Sequence, residues 1–171
     1  MKPLSDKSRA RLRSAAWWVG MIVVVIAVRA WQTRDAVSGE APSIRAETLS
    51  GDAIELSSFR GGAVAVHFWA TWCGVCAAEQ GNIESLASGG RVISVASASG
   101  TPNDVARYVR EHEIGLPVVV DQSGALARAY GVTAYPTTFY VGANGRIRFV
   151  EVGYTTTLGM RARLALAGVG L

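Results

Sequence analysis

The chain has 171 residues, enough for one domain and a short appendage, and half of them are hydrophobic, which suits a globular core. Residues 1–34 carry seven of the 17 Lys and Arg residues and one of the 13 acids, so residues 35–171 keep ten cations and twelve acids, a net charge of −2. A domain with that balance has no basic stripe, and we expect no nucleic-acid partner.

The N-terminal stretch has the pattern of a membrane anchor. A basic segment, residues 1–13, precedes fifteen uncharged residues, 14–28, that are rich in Val, Ile and Trp. As a helix this run would be ~22 Å long, short of the ~30 Å hydrocarbon core, but flanking arginine side chains can reach toward the headgroups. We therefore predict a single transmembrane helix over residues 14–31. The N-terminus should lie in the cytoplasm, because more cations precede the run than follow it.

The alternative for this stretch is a cleaved signal peptide, with residues 28–30 as the cleavage site. Arg29 and Trp31 make a poor cleavage region and a good membrane interface, which favours the anchor. On both interpretations, the rest of the chain is exported across the cytoplasmic membrane. The prediction is a protein of the cytoplasmic (inner) membrane whose domain faces the periplasm or the exterior, where a cysteine pair meets an oxidising environment.

A polar linker, residues 32–42, is predicted to join the anchor to a domain over residues 43–171. Hydrophobic patterns and turn residues predict the following elements in order: a β-hairpin over 44–56, a strand over 63–69, a helix over 74–87, a strand over 91–98, a helix from residue 102, a strand over 116–120, a helix over 125–130, a hairpin over 137–152 and a helix over 156–167. This alternation predicts an α/β domain with a central mixed sheet flanked by helices, preceded by an N-terminal β-hairpin.

The two cysteines of the chain, Cys73 and Cys76, stand two residues apart where the predicted strand turns into a helix. Unpaired N–H groups and the helix dipole favour negative charge there, so Cys73 should have a lowered pKa and react as a thiolate. We expect Cys73 to be the exposed sulfur and Cys76, one turn on, the shielded one. Zinc sites use the same spacing with a second ligand pair, and the chain has just His67 and His112 to add, so no metal site is expected. A structural disulfide would gain little from so short a loop.

The segment from Phe68 to Cys76, FWATWCGVC, resembles the signature of the thioredoxin superfamily, an aromatic-rich strand ending in Trp-Cys-x-x-Cys. With a hairpin ahead of it, the chain is similar to the TlpA/ResA branch over about residues 40–168, which implies a thioredoxin-like fold and a membrane tether. A second motif, GVTAYPTTF over residues 131–139, resembles the Gly-Val-x-x-x-Pro-Thr of the superfamily. The resemblance implies a cis Pro136 beside the sulfurs. It also implies that the incoming peptide meets Trp72, Ala134 and Tyr135.

Two further polar residues lie near the motif in sequence. Glu79 follows Cys76 by three residues, so it falls on or beside the same helix face, where a carboxylate would be partly desolvated, with a raised pKa, and could move protons to and from the thiols. The TlpA/ResA branch carries a glutamate at this offset; the alternative is a solvated helix glutamate. His67 stands where thioredoxins carry a buried acid. It is either a base near the buried sulfur or, as we favour, a strand histidine with a satisfied hydrogen bond.

The whole pattern is most similar to ScsD-like protein disulfide oxidoreductases, which are associated with suppression of copper sensitivity. It implies thiol–disulfide exchange on protein disulfides with the Cys73–Cys76 pair as the redox centre and no other cofactor. Neither Gly74 nor Val75 adds a cation, which favours a reductant that receives electrons from a DsbD-like membrane donor. Two alternatives stay open: a reductant of cytochrome c maturation, and a Cu(I)-binding module with the two cysteines as soft ligands.

Overall fold

The computed structural model describes residues 6–34 and 36–169. The first five residues of the predicted basic segment, Asp35 of the predicted linker and the last two residues of the predicted domain lie outside this range. The chain divides into two compact units, Met1–Arg34 and Asp35–Leu171.

The described residues of the first unit, 6–34, contain one helix, α1 (Asp6–Thr33). Among the described residues, no helix combines the length and the apolar character that crossing a membrane requires. The transmembrane helix over residues 14–31 stays a prediction.

The second unit is built around a mixed sheet. Its strands are β1 (Gly39–Glu40), β2 (Arg45–Glu47), β3 (Ala53–Glu55), β4 (Val64–Trp69), β5 (Val92–Ser97), β6 (Val118–Asp121), β7 (Thr137–Val141) and β8 (Arg146–Val152). Within residues 36–169, six of them form one sheet in the order β1-β8-β7-β4-β5-β6, while β2 and β3 form a separate hairpin. The pairs β4–β5 and β5–β6 are parallel, and the others are antiparallel. The predicted mixed sheet and N-terminal hairpin are confirmed.

Four α-helices accompany the sheet within the described part of this unit: α2 (Gly74–Ala87), α3 (Pro102–Glu111), α4 (Ala125–Ala129) and α5 (Thr157–Gly168), and a 3-10 turn covers Leu56–Phe59. The start of α3 shows how local sequence fixes an element. The hydroxyl of Thr101 accepts the N–H of Asp104, whose carboxylate accepts the N–H of Thr101, and Pro102 occupies the first turn. This reciprocal cap satisfies two of the donors that a helix start leaves unpaired.

Strand β4 is buried along its whole length, and its alternating residues divide the core into two clusters. Val64, Val66 and Phe68 belong to a cluster that includes Ala127 of α4; we call this side the α4 face. Ala65 and Trp69 belong to the other cluster, together with residues of α2, α3 and α5; we call this side the α2/α5 face. Helices therefore cover both faces of the sheet, as predicted.

One strand was not predicted. Within the stretch expected to be a polar linker, β1 pairs with β8 through Gly39↔Ile147 and Glu40↔Arg146. Arg60 adds a side-chain bond from its guanidinium to Glu40, at 3.4 Å. A two-residue edge strand forms because a partner edge is available, and its own sequence carries no periodic signal.

Candidate active site

Cys73 and Cys76 form a disulfide at the point where β4 passes into α2. Cys73 is the N-cap residue of α2, in an extended conformation with φ −88° and ψ 103°. Its Sγ accepts the backbone N–H of Cys76 at 3.1 Å. A cap normally filled by a side-chain oxygen is thus filled by sulfur, and the donor that stabilises it would also stabilise a Cys73 thiolate.

The two half-cystines differ little in exposure, at 7% for Cys73 and 4% for Cys76. The expected difference in exposure between the two free thiols stays a prediction. Both half-cystines belong to the apolar cluster on the α2/α5 face, because the disulfide holds Cys73 against the buried Cys76. The exposed parts of the motif are its neighbours: Trp72 is 67% exposed and Val75 is 47% exposed.

Trp72 and Tyr135 form an aromatic rim beside the disulfide. The indole Nε1 of Trp72 donates to the carbonyl of Ala98 at 2.8 Å, and Ala98 itself adopts a positive φ of 50°. The Trp72 and Tyr135 rings meet edge to face with centroids 5.8 Å apart, a favourable aromatic geometry. Ala134, which directly precedes Tyr135 in the chain, is exposed. The structure therefore brings together the three residues for which the resemblance implies peptide contact.

Pro136 lies at the same end of the sheet as the cysteines. The register Phe68↔Thr137 places it beside the end of β4, from which the chain runs into Cys73. The Tyr135–Pro136 peptide bond is cis, as the resemblance implies. The Pro136 carbonyl accepts the N–H of Gly153 at 2.9 Å, which ties the proline loop to the segment that leads into α5.

Glu79 is buried on the same face of α2 as Cys76, with 1% of its surface exposed. Its Oε1 accepts the backbone N–H of Thr155 at 2.5 Å, and Oε2 makes no hydrogen bond to any described residue. Burial raises the pKa of Glu79 to about 7; the Glu151 carboxylate adds to this rise and the Thr155 N–H opposes it. The predicted desolvation is confirmed, and the alternative of a solvated helix glutamate is wrong.

His67 is 2% exposed on β4, on the α2/α5 face. Its Nδ1 lies 2.9 Å from the Thr138 hydroxyl, so the interpretation as a strand histidine with a satisfied hydrogen bond is confirmed. Burial lowers the pKa of His67 to about 4, so the ring is neutral at pH 7. Sequence reasoning missed that Nδ1 lies 4.0 Å from Oε2 of Glu79, although strand parity already placed His67 on the side that carries the CxxC helix.

Sequence reasoning also missed Thr155, which lies 76 residues from Glu79 and binds it through a backbone N–H that any residue type except proline would supply. Within residues 6–34 and 36–169, no three His, Cys, Asp or Glu side chains are grouped so that they could hold a metal ion.

Comparison with known proteins places this geometry in a family. The family described as Redoxin matches residues 36–165, which span the sheet, the disulfide and most of α5. The chain belongs to the Redoxin family. Among Redoxin relatives, the thiol-disulfide oxidoreductase ResA of Bacillus thuringiensis subsp. konkukian is 31% identical over 116 residues, which cover 65% of this chain and 66% of that protein. The thioredoxin-like protein YneN of Bacillus subtilis is 32% identical over 133 residues, which cover 74% of this chain and 78% of that protein.

A solved structure agrees with the Redoxin assignment. The pneumococcal exposed lipoprotein thioredoxin Etrx1 from Streptococcus pneumoniae superposes with a TM-score of 0.68 at 26% identity, covering 73% of this chain and 99% of that one. The fold is thioredoxin-like. The chain is thus a thiol–disulfide oxidoreductase of the TlpA/ResA type, and its Cys73–Cys76 disulfide is the CxxC of that class.

Proposed function

We propose that this oxidoreductase reduces disulfide bonds of proteins outside the cytoplasm, with Cys73 as the attacking sulfur, Cys76 as the resolving sulfur and Glu79 as the proton acceptor. The observation that carries the proposal is the arrangement at the start of α2. The Cys73 sulfur caps the helix and receives an N–H, while a buried carboxylate lies on the Cys76 face of the same helix. Thiolate stabilisation and proton acceptance are thus assigned to separate groups.

The first step is attack by the reduced protein. The Cys73 thiolate forms a bond to one sulfur of the client disulfide, the client S–S bond breaks, and the second client sulfur leaves as a thiolate that takes a proton from solvent. The Cys76 N–H that faces the Cys73 sulfur favours the ionised form needed for this attack.

The second step is resolution. Cys76 gives its S–H proton to Glu79, and the resulting thiolate attacks the Cys73 sulfur, which breaks the mixed disulfide and releases the client sulfur that Cys73 had bound. The client gains two electrons, the protein is left with the Cys73–Cys76 disulfide, and the proton on Glu79 returns to the released thiolate or to solvent. A carboxylate with a pKa near 7 suits this exchange, because it can accept and release a proton near neutral pH.

The aromatic rim supports the proposed place of the client. Trp72 and Ala134 are exposed beside the disulfide, and Tyr135 is half-buried between them and the cis Pro136. An extended client segment can lie along this loop and pair with the backbone of Ala134 and Tyr135 as an added strand. Pro136 itself has no N–H to offer, so pairing through donors would use its neighbours.

The direction of electron flow follows from what surrounds the Cys73 sulfur. Gly74 and Val75 carry no charge, so thiolate stabilisation comes from helix N–H groups without a neighbouring cation. A less stabilised thiolate gives a lower reduction potential, which favours a reductant. A reductant must be re-reduced, and a DsbD-like membrane electron donor is the partner class that we propose.

The proposed location and clients rest on resemblance. A relative named as an exposed lipoprotein supports work outside the cytoplasm. Similarity to ScsD-like proteins supports a role in copper tolerance, with cytochrome c maturation as the second candidate, since the same dithiol chemistry would serve both. A deletion strain separates them: copper sensitivity with normal cytochromes c supports the first, and loss of cytochromes c with normal copper tolerance supports the second.

The biochemical test is a single-turnover exchange between the reduced protein and a peptide disulfide. One equivalent of protein should release one equivalent of peptide dithiol and end with the Cys73–Cys76 disulfide. Cys73→Ser should release none. Exchange by Cys73→Ser at the wild-type rate would overturn the proposal, and a Ser88→Ala variant, altered at the far end of α2, serves as the matched control.

A further inference from the structure

The buried pair Glu79 and His67 has a feature that the proposed exchange does not explain. Oε2 of Glu79 makes no hydrogen bond to any described residue, and Nδ1 of His67 lies 4.0 Å from it. Both side chains are almost sealed from solvent, at 1% and 2% exposure. A buried carboxylate oxygen without a hydrogen bond lowers the stability of the fold, so the polar His67 ring beside it needs a physical explanation.

The imidazole is fixed in place by the sheet. His67 on β4 pairs with Thr138 on β7 and with Ser94 on β5. Its Nδ1 contacts the Thr138 hydroxyl at 2.9 Å, while the Ser94 hydroxyl accepts the indole N–H of Trp69 at 2.8 Å. Nδ1 is therefore the ring atom that lies within reach of both the Thr138 hydroxyl and Oε2 of Glu79.

We propose that His67 is a positioning residue for Glu79: it carries its proton on Nδ1, donates it to the Thr138 hydroxyl, and directs the same N–H dipole at Oε2 of the ionised Glu79. His67 thereby sets the pH at which Glu79 takes the proton from Cys76. This inference rests on the proposed function. In that step the Cys76 S–H bond breaks and a Glu79 O–H bond forms, while the imidazole gains and loses nothing.

The tautomer and the distance are consistent with this role. A threonine hydroxyl both accepts and donates, so it can receive the Nδ1–H and pass its own hydrogen elsewhere. A separation of 4.0 Å exceeds a hydrogen bond, so the ring acts on Glu79 through its dipole, an effect that a buried site of low dielectric strengthens. The lowered pKa of His67 keeps the ring neutral at the pH of the reaction.

Other groups also act on Glu79 from the elements packed around it. The Thr155 N–H contacts Oε1 ahead of α5, the phenol of Tyr140 on β7 interacts with Glu79, and the Glu151 carboxylate on β8 raises its pKa. Arg163 of α5 lies 2.6 Å from Glu151 and offsets that charge. Thr155 acts on Oε1, and we assign the His67 N–H to Oε2 on its distance of 4.0 Å; the Tyr140 hydroxyl, which makes no hydrogen bond to any described residue, is present in every variant of the test below.

The kinetic test measures the pH midpoint of the resolution step, with preformed mixed disulfide, in wild type, His67→Leu, His67→Asn and Ser94→Ala. Without the donor the ionised carboxylate is less favoured, so His67→Leu should move the midpoint upward by about one pH unit. Asparagine offers an N–H near the place of Nδ1, so His67→Asn should stay near wild type. Ser94→Ala removes the buried hydroxyl on the other side of His67 and should leave the midpoint unchanged.

A second measurement holds even if His67→Leu does not fold. In ¹⁵N NMR of the wild-type protein, His67 should be the Nδ1–H tautomer at pH 8. In a pH titration, its Nδ1 chemical shift should change with the same midpoint as the ionisation of Glu79. This change should be absent in Glu79→Gln. An Nε2–H tautomer, an unchanged movement in Glu79→Gln, or a midpoint that stays put or falls in His67→Leu would overturn the inference. Wild-type protein that does not reduce a peptide disulfide at all would instead overturn the proposed function.

Discussion

Both faces of β4 pack against hydrophobic clusters, but the polar residue of the strand itself, His67, lies on only one of them. On the α4 face, Phe68 packs against Tyr130 and Phe139 with ring centroids 5.1 and 5.8 Å away, and the members of this cluster are hydrophobic. On the α2/α5 face, the polar side chains of His67 and Glu79 are buried too, at 2% and 1% exposure. Successive residues of β4 therefore face different surroundings on the two sides of the sheet.

The difference between the two faces shows which part of the fold contains a group whose burial lowers stability. An apolar cluster gains free energy from every buried surface, whereas a buried carboxylate with one unpaired oxygen loses some. That oxygen lies on the side of the sheet that carries the disulfide. We therefore assign stability chiefly to the α4 face and proton chemistry to the α2/α5 face, and the following variants test that division.

Removing the Phe68 ring should weaken the packing on the α4 face without changing thiol–disulfide exchange. The ring is fully buried, so Phe68→Ala should lower the free energy of unfolding by about 4 kcal/mol. The pH midpoint of resolution should not change. Urea unfolding gives the first quantity, with Phe68→Leu as the milder control. A loss below about 1 kcal/mol, or a moved midpoint, would mean that the two faces are not separate.

Neutralising Glu79 should stabilise the protein at alkaline pH. The pKa of Glu79 is raised from its ordinary 4.5 to about 7, so wild type loses stability as pH rises through that window. Glu79→Gln does not titrate. Relative to wild type, it should gain up to about 3 kcal/mol between pH 4.5 and pH 8. The titration of His67 falls in an overlapping window but is common to both proteins, so we compare differences in unfolding free energy. An equal difference at both pH values would argue against a buried, protonated Glu79.

The same substitution should slow chemistry on one step. Glu79→Gln keeps the shape and removes the base, so resolution should slow by about 100-fold near pH 7, whereas the initial attack by Cys73 should change by less than about threefold. Stopped-flow exchange from pH 5 to 9 separates the two phases, and Gln80→Ala is the neighbouring control. Equal slowing of both phases would contradict the role of Glu79 as the proton acceptor for Cys76.

Trp72 should show the smallest effect on stability. Its side chain is 67% exposed, so Trp72→Ala should change the free energy of unfolding by less than about 1 kcal/mol. The second-order rate constant with a peptide disulfide should fall about tenfold, because the client loses one side of the aromatic rim. Val75→Ala, a similarly placed exposed position, is the control. An undiminished rate constant would place the client elsewhere.

Most of the domain could be predicted from the sequence because its signals are local. The helix over residues 74–87 has the predicted bounds, the hairpin over 137–152 formed as expected, and the helix predicted from residue 102 begins there. Capping residues and hydrophobic periodicity act within a few residues, so they can be read without a partner. The cysteine pair was identified from its spacing, and the place of the proline motif beside it was implied by the resemblance to the thioredoxin superfamily.

The features that could not be predicted from the sequence depend on contacts between distant segments. Strand β1 exists because β8 offers an edge, and the partner of Glu79 is a backbone N–H 76 residues away. The apposition of His67 and Glu79 needs the packing of α2 on β4.

Trapping the mixed disulfide tests the central assignment of roles most directly. Cys76→Ser should retain an attacking Cys73 and lose resolution, so reaction with a disulfide-bonded client should leave a stable adduct that mass spectrometry maps to Cys73. Cys73→Ser, treated in parallel, should leave none. An adduct on Cys76 in the Cys73→Ser protein, formed as fast as the adduct on Cys73 in Cys76→Ser, would contradict the account.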